Sequence, residues 1–217
     1  MLSKLRGVVR PVQNGLAAPF VKANMSPSTV TLLAVPLSLA SAGLCYFGFF
    51  KVSLFLALLA FGMDFIDGAV ARLSGRSSPF GNQLDAVVDR LVEGFILVGL
   101  AAYYPVLAAL GLTFSTTISY IKARVGLVVI STNDDWPGLG DRSDRVALML
   151  GALWALEYST KLFGSQLAPF FLVALLLVSG IGCCQRLLHA QKVIESAEKE
   201  GRLLPYLEPT TSSSPEG

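Results

Sequence analysis

Four aspartates, Asp64, Asp67, Asp85 and Asp89, stand between residues 64 and 89 of a chain that is otherwise mostly apolar. Asp64, Asp67 and Ala71 follow an i, i+3, i+7 spacing, which on a helix projects all three from one face. Asp85 and Asp89 repeat the pattern at i and i+4. Between the two pairs lies "LSGRSSPF", short enough for two helices to run antiparallel and bring the four carboxylates together. Such a group of anions in an apolar medium is strongly unfavourable, since each desolvated carboxylate costs kilocalories and like charges a few ångströms apart add to that. A cation must therefore sit among them. Oxygen ligands without histidine or thiolate select magnesium, manganese or calcium over zinc, and four carboxylates suffice for two bridged ions. Two ions suit phosphoryl chemistry, in which metals bind phosphate oxygens and neutralise the charge that develops on them.

The neighbouring residues narrow the ligand. Gly68 and Ala71 lie beside the first carboxylate pair and Gly81 one turn before Asp85, leaving backbone bare enough for a flat or bulky group to approach. Arg72 has the fork geometry that grips phosphate through two nitrogens. Close helix packing alone would account for Gly68, and snorkelling for Arg76. Neither accounts for four carboxylates in register inside a membrane.

The elements that must position these groups follow from hydropathy. Of 217 residues, 53% are hydrophobic and 15% charged, too little polarity to cover a water-soluble domain. A bilayer crossing takes about 20 helical residues. Six stretches qualify, at 27–49, 52–73, 82–104, 106–129, 143–158 and 166–188. The expected fold is an all-α integral membrane protein with six transmembrane helices. Residues 1–24 place Lys4, Arg6, Arg10 and Lys22 among apolar residues at helical spacing, which predicts an amphipathic helix on the membrane surface. They lack the continuous apolar core of a signal peptide. The six spans occupy residues 25–190; residues 191–217 form a polar tail whose end, "EPTTSSSPEG", reads as disordered. With an even span count, the termini and the 73–81 and 130–142 loops share one side. Most lysines and arginines fall there, with Lys51 and Lys161 opposite, so that side is expected to be cytoplasmic in the cell membrane.

Other classes fare worse. A net charge of +2 without an arginine-rich strip excludes nucleic acid as the target. Cys45 is alone and Cys183 and Cys184 are adjacent, neither a disulfide framework nor a metal-ligand spacing. A transporter would also keep charges inside its spans, but it needs a path across both leaflets. Here the charges gather at one end, and no inverted repeat is apparent.

The run Asp64-x2-Asp67-Gly68-x2-Ala71-Arg72-x8-Gly81-x3-Asp85-x3-Asp89 resembles the signature of the CDP-alcohol phosphotransferase family, with no position missing. The resemblance implies transfer of a phospho-lipid group from a CDP-linked donor to a hydroxyl, releasing CMP. It implies two magnesium ions, with manganese as an alternative, on Asp64, Asp67 and Asp85. Asp89 would be a further ligand and the base that takes the hydroxyl proton. Gly68, Ala71, Arg72 and Gly81, with the metal-binding aspartates, would hold the cytidine diphosphate. It also implies a homodimer in the lipid bilayer. In "NMSPSTVT", Ser28 and Thr31 match positions that similar proteins place against the nucleotide, while helix capping explains Ser26 and Pro27 equally well.

The acceptor must be read elsewhere. Ser119, Lys122 and Arg124 cluster in "SYIKAR", Arg142 and Arg145 open the fifth span in "GDRSDR", and Arg186 interrupts the sixth. Several cations near a two-metal phosphate site point to an acceptor that itself carries a phosphate. These segments resemble the family's phosphatidylinositol phosphate and archaetidylinositol phosphate synthases. That likeness implies inositol 1-phosphate as acceptor, its phosphate held by Ser119, Lys122, Arg124, Arg142 and Arg186. The run "DRSDR" departs from the Glu-Arg-x-Glu-Arg expected there. Glycerol 3-phosphate is the rival acceptor, since it too calls for cations. His189, alone beside the basic C-terminal region, reads as a surface residue.

Overall fold

The computed structural model describes residues 2–129, 136–163 and 166–203, with the side chains of residues 2–9 and 160 outside the description. Among these residues the chain is all-helical, its seven helices being α1 (Leu2–Lys22), α2 (Pro27–Tyr46), α3 (Phe50–Ser74), α4 (Pro79–Ala101), α5 (Pro105–Val125), α6 (Arg142–Phe163) and α7 (Ala168–Lys199). By length and composition four of them, α2, α3, α5 and α7, qualify to cross a membrane. Helices α4 and α6 lie at the two other expected spans and carry Asp85, Asp89, Arg142 and Arg145. The side chains of Lys4 and Arg6, and the tail beyond Leu203 that was expected to be disordered, lie outside the described residues.

The helices around the aspartates begin and end where local chemistry dictates. Ser26 caps α2 by accepting a hydrogen bond from the Thr29 amide at 3.1 Å, and Pro27 takes the first helical position, where a missing N–H costs nothing. Ser78 caps α4 in the same way, accepting from the Gly81 amide at 2.9 Å, again followed by proline. Helix α3 stops at Gly75, whose φ of 65° is the left-handed conformation that favours glycine. Only residues 75–78 then separate α3 from α4, so the two aspartate pairs sit on either side of a tight turn.

The core lies between the remaining faces. Val88, Val92 and Ile96, one turn apart along α4, are buried with Ala57, Ala60 and Phe61 of α3 and Leu172 and Leu175 of α7. Helix α2 packs on both α3 and α4, α7 on α5 and α6, and α3 on α6. Helices α2 and α3 are also joined by reciprocal hydrogen bonds: the hydroxyls of Ser41 and Ser53 each donate to the other residue's carbonyl at 2.8 Å. Helix α1 packs on α3, burying Ala17 against Ile66, Ala69 and Val70. Gln13 of α1 receives a hydrogen bond from Arg72 at 3.1 Å, and Asn24 one from Arg76 at 2.8 Å.

Helix α4 meets the backbone of α2 at Gly99, where a Cβ would stand 2.9 Å from Ala42 Cα and 3.1 Å from its carbonyl oxygen. Backbone cannot yield as a side chain can. Gly99→Leu should therefore push α2 off α4 and destabilise the protein by about 1–3 kcal/mol. Thermal unfolding in detergent checks this; an unchanged midpoint would show that the helices part without cost.

Candidate active site

Asp64 and Asp67 project from the last turns of α3, and Asp85 from the second turn of α4. One carboxylate oxygen from each lies within 4.8 Å of the others. Asp67 is 7% exposed and is oriented by Thr31 of α2, whose hydroxyl donates to its Oδ2 at 2.5 Å. Asp85 Oδ1 is buried and has no hydrogen-bond partner among the described residues. Three converging carboxylates, one with an orphaned oxygen and none accompanied by nitrogen or sulfur ligands, fit a hard divalent cation.

Asp89 stands apart from this triple. Its Oδ1 pairs with Arg142 Nη2 at 2.5 Å, while the other terminal nitrogen of Arg142 contacts Asp64. Arg142, placed by sequence on the acceptor's phosphate, thus bridges two of the aspartates across the interface of α6 with α3 and α4.

Beside the triple opens a cavity of about 290 Å³. Ser28, Thr31, Asp67, Gly68, Ala71, Arg72, Gly81 and Asp85, all expected on the donor, line it. Asp64 does not appear in that lining. Arg76, Ser77, Ser78 and Asn82 join the wall from the α3–α4 turn, where the sequence reading had placed no ligand contact. The walls are mostly small side chains on α2, α3 and α4, with guanidinium groups at the α3–α4 turn. That shape and charge admit a flat base and a diphosphate.

The acceptor candidates divide. Ser119 of α5 receives a hydrogen bond from Arg90 of α4. Arg186 of α7 is buried, pairs with Asp141 and donates to the Ile118 carbonyl at 3.3 Å; its Nε has no hydrogen-bond partner. Arg186 therefore contacts the α5 residue next to Ser119, and Asp141 immediately precedes Arg142. Lys122 lies one turn beyond Ser119 with its ammonium 6.0 Å from the centroid of the Trp136 ring, and Trp136 packs edge-on against His189. His189 is half-buried in that contact. Arg124 is exposed at the end of α5.

At the centre of this half stands Glu93, which the sequence reading missed. It is 1% exposed, accepts from Arg145 at both oxygens and from Ser115, and forms an ion pair with Arg90. A signal was present, since Glu93 continues the i+4 series of Asp85 and Asp89 along α4.

A family model described as CDP-alcohol phosphatidyltransferase matches residues 24–194. The chain belongs to that family. An archaetidylinositol phosphate synthase of Pyrococcus horikoshii is 30% identical over 202 residues, covering 90% of this chain and 99% of its own. A phosphatidylinositol phosphate synthase of Streptomyces avermitilis is 34% identical over 167 residues, covering 70% of this chain and 66% of its own. Among solved structures, the phosphatidylinositol phosphate synthase of Mycobacterium tuberculosis with CDP-DAG bound superposes with a TM-score of 0.70 at 25% identity, over 83% of this chain and 94% of that one. The same relative has been crystallised with manganese and citrate. This CDP-alcohol phosphatidyltransferase is accordingly a multi-pass membrane enzyme.

Thr31 touches Asp67 and also borders the cavity, so its hydroxyl should govern metal affinity. Thr31→Val keeps the volume and removes the donor; it should weaken Mn2+ binding about 10- to 100-fold. The electron paramagnetic resonance signal of free Mn2+ in a titration reads this directly, and equal affinity in the two proteins would deny the hydroxyl that role.

Proposed function

We propose that this enzyme transfers the phospho-lipid group of a CDP-linked lipid, CDP-diacylglycerol or CDP-archaeol, to a hydroxyl of inositol 1-phosphate and releases CMP. One observation carries the reading: the aspartate triple lies between a nucleotide-sized cavity and a second region built from arginines, so donor and acceptor phosphates meet at the same carboxylates. The inositol-phosphate relatives support the acceptor. The rival acceptor, glycerol 3-phosphate, would use the same cations.

Asp64, Asp67 and Asp85, with Asp89 as a further ligand, would hold two divalent ions, magnesium or manganese, whose chemistry is to neutralise charge on the diphosphate. Ser28, Gly68, Ala71 and Gly81 leave room for the nucleotide, and Arg72 binds its phosphates. Ser119, Lys122, Arg124, Arg142 and Arg186 hold the acceptor's phosphate and so orient its hydroxyl. That oxygen attacks the lipid-side phosphorus of the donor. A phosphorus–oxygen bond to the acceptor forms as the one to CMP breaks, and the hydroxyl proton passes to Asp89. Arg142, paired with Asp89, holds this carboxylate in place.

In the same reading, α2–α7 cross the membrane as six spans, and α1 lies along the surface with Val12 and Leu16 toward lipid, both of them exposed. Residues 25–190 form the catalytic unit and residues 191–217 a polar tail. The site and both termini face the cytoplasm, where the basic residues gather, and the enzyme works as a homodimer.

Purified protein given a CDP-lipid and, separately, inositol 1-phosphate, glycerol 3-phosphate, inositol or serine should release CMP fastest with inositol 1-phosphate. Chelation should stop release, and magnesium or manganese restore it. Faster release with glycerol 3-phosphate would replace the acceptor named here. Asp89→Asn should remove turnover while leaving the protein folded, as its thermal unfolding shows; near-normal turnover would strike Asp89 from the mechanism.

A further inference from the structure

We infer that Glu93 is the positioning residue of the acceptor half of the site, acting through Arg90 and Arg145, an inference that rests on the phosphorylated acceptor proposed above. A carboxylate has two oxygens with about four lone-pair sites. Three hydrogen bonds and one ion pair occupy them. Arg145 Nε reaches Oε2 and its Nη2 reaches Oε1, both at 3.0 Å; Arg90 Nη2 reaches Oε1 at 2.8 Å; and the Ser115 hydroxyl donates to Oε2. With both Glu93 and Arg145 at 1% exposure, water has no access to loosen this arrangement.

Each arginine then turns its Nη1 to the acceptor side. Arg90 Nη1 donates to the Ser119 hydroxyl. Arg145 Nη1 donates to the Gly140 carbonyl at 2.5 Å, tying down the turn from which Arg142 enters α6. Arg142 is also reached directly, its Nε lying 3.9 Å from Glu93 Oε1. Both arms from Glu93 thus end on proposed acceptor contacts, Ser119 and Arg142. Glu93, Arg90 and Arg145 are all absent from the lining of the nucleotide cavity.

A residue that served the fold alone would affect both substrates. A positioning residue wired to one half affects one. Glu93→Gln keeps the shape but turns an acceptor atom into a donor facing arginine nitrogens, so Ser119 and Arg142 lose their registration. The Michaelis constant for inositol 1-phosphate should rise about tenfold or more, while that for the CDP-lipid and the calorimetric affinity for CMP stay near wild type. Because Glu93→Gln leaves Arg145 buried without its full partner, the double variant Glu93→Leu with Arg145→Met is measured alongside it; removing both buried charges preserves folding more readily than removing one. It should show the same acceptor-selective loss. Equal rises in both constants, or an unchanged acceptor constant in a variant that still binds CMP, would overturn the inference. A wild-type enzyme that turns over no phosphorylated alcohol would instead overturn the acceptor reading, and this inference with it.

Discussion

Charge that leaves water must be compensated within a few ångströms, and in this protein that requirement organises everything between α3, α4 and α6. An unpaired carboxylate in a low-dielectric interior costs several kilocalories, and so does an unpaired guanidinium. The five carboxylates on α3 and α4 meet the requirement differently. Asp67 takes the Thr31 hydroxyl, Asp64 and Asp89 share Arg142, and Glu93 is saturated by Arg90, Arg145 and Ser115. Asp85 retains a buried oxygen with no hydrogen-bond partner among the described residues. Glu93 is satisfied by fixed protein donors, whereas Asp64, Asp67 and Asp85 converge with that oxygen still unmatched. The first arrangement suits a structural anchor and the second a cation that must come and go with substrate.

Helix geometry makes both possible on the same short segment. The α3–α4 turn needs few residues because Gly75 ends one helix in the left-handed region and Ser78 with Pro79 starts the next. The aspartates of α3 and α4 therefore come from opposite arms of one hairpin. Along α4, Asp85, Asp89 and Glu93 fall one turn apart, so a single helical stripe passes from the donor cavity through the carboxylate cluster into the arginine network. Donor and acceptor regions are linked through that stripe and through Arg142.

Much of this was legible in the sequence because it rested on residue type and short spacing. The six hydropathy stretches correspond to α2–α7, and the glycines, alanine and arginine beside the aspartates line the cavity together with Ser28 and Thr31. What escaped was set by longer-range contact. Charge at position 93 reads alone as one more acidic residue; its meaning comes from Arg145, far away in sequence on α6. Arg142 looks from its sequence like a phosphate ligand, yet packing of α6 on α3 brings it to Asp64 and Asp89. The apolar stretch ends near residue 188, while α7 continues to Lys199, since no glycine or proline follows Gly182 until Gly201. Hydropathy marks where a helix leaves lipid, not where it stops.

The division of labour bears on how such a site could change its acceptor without losing its chemistry. The donor side depends on backbone access and on carboxylates from adjacent helices, so almost any substitution there alters metal or nucleotide binding. In the proposed reading the acceptor side is assembled from single side chains on α5, the start of α6 and α7: Ser119, Lys122, Arg142 and Arg186. Ser119 and Arg186 are held by Arg90, Asp141 and the Ile118 carbonyl rather than by the aspartate triple. A change of acceptor can therefore proceed by exchanging these side chains while Asp64, Asp67 and Asp85 stay as they are. Arg142 is the exception, because it belongs to both sides: replacing it would alter the acceptor's phosphate contact and also leave Asp64 and Asp89 without their shared partner.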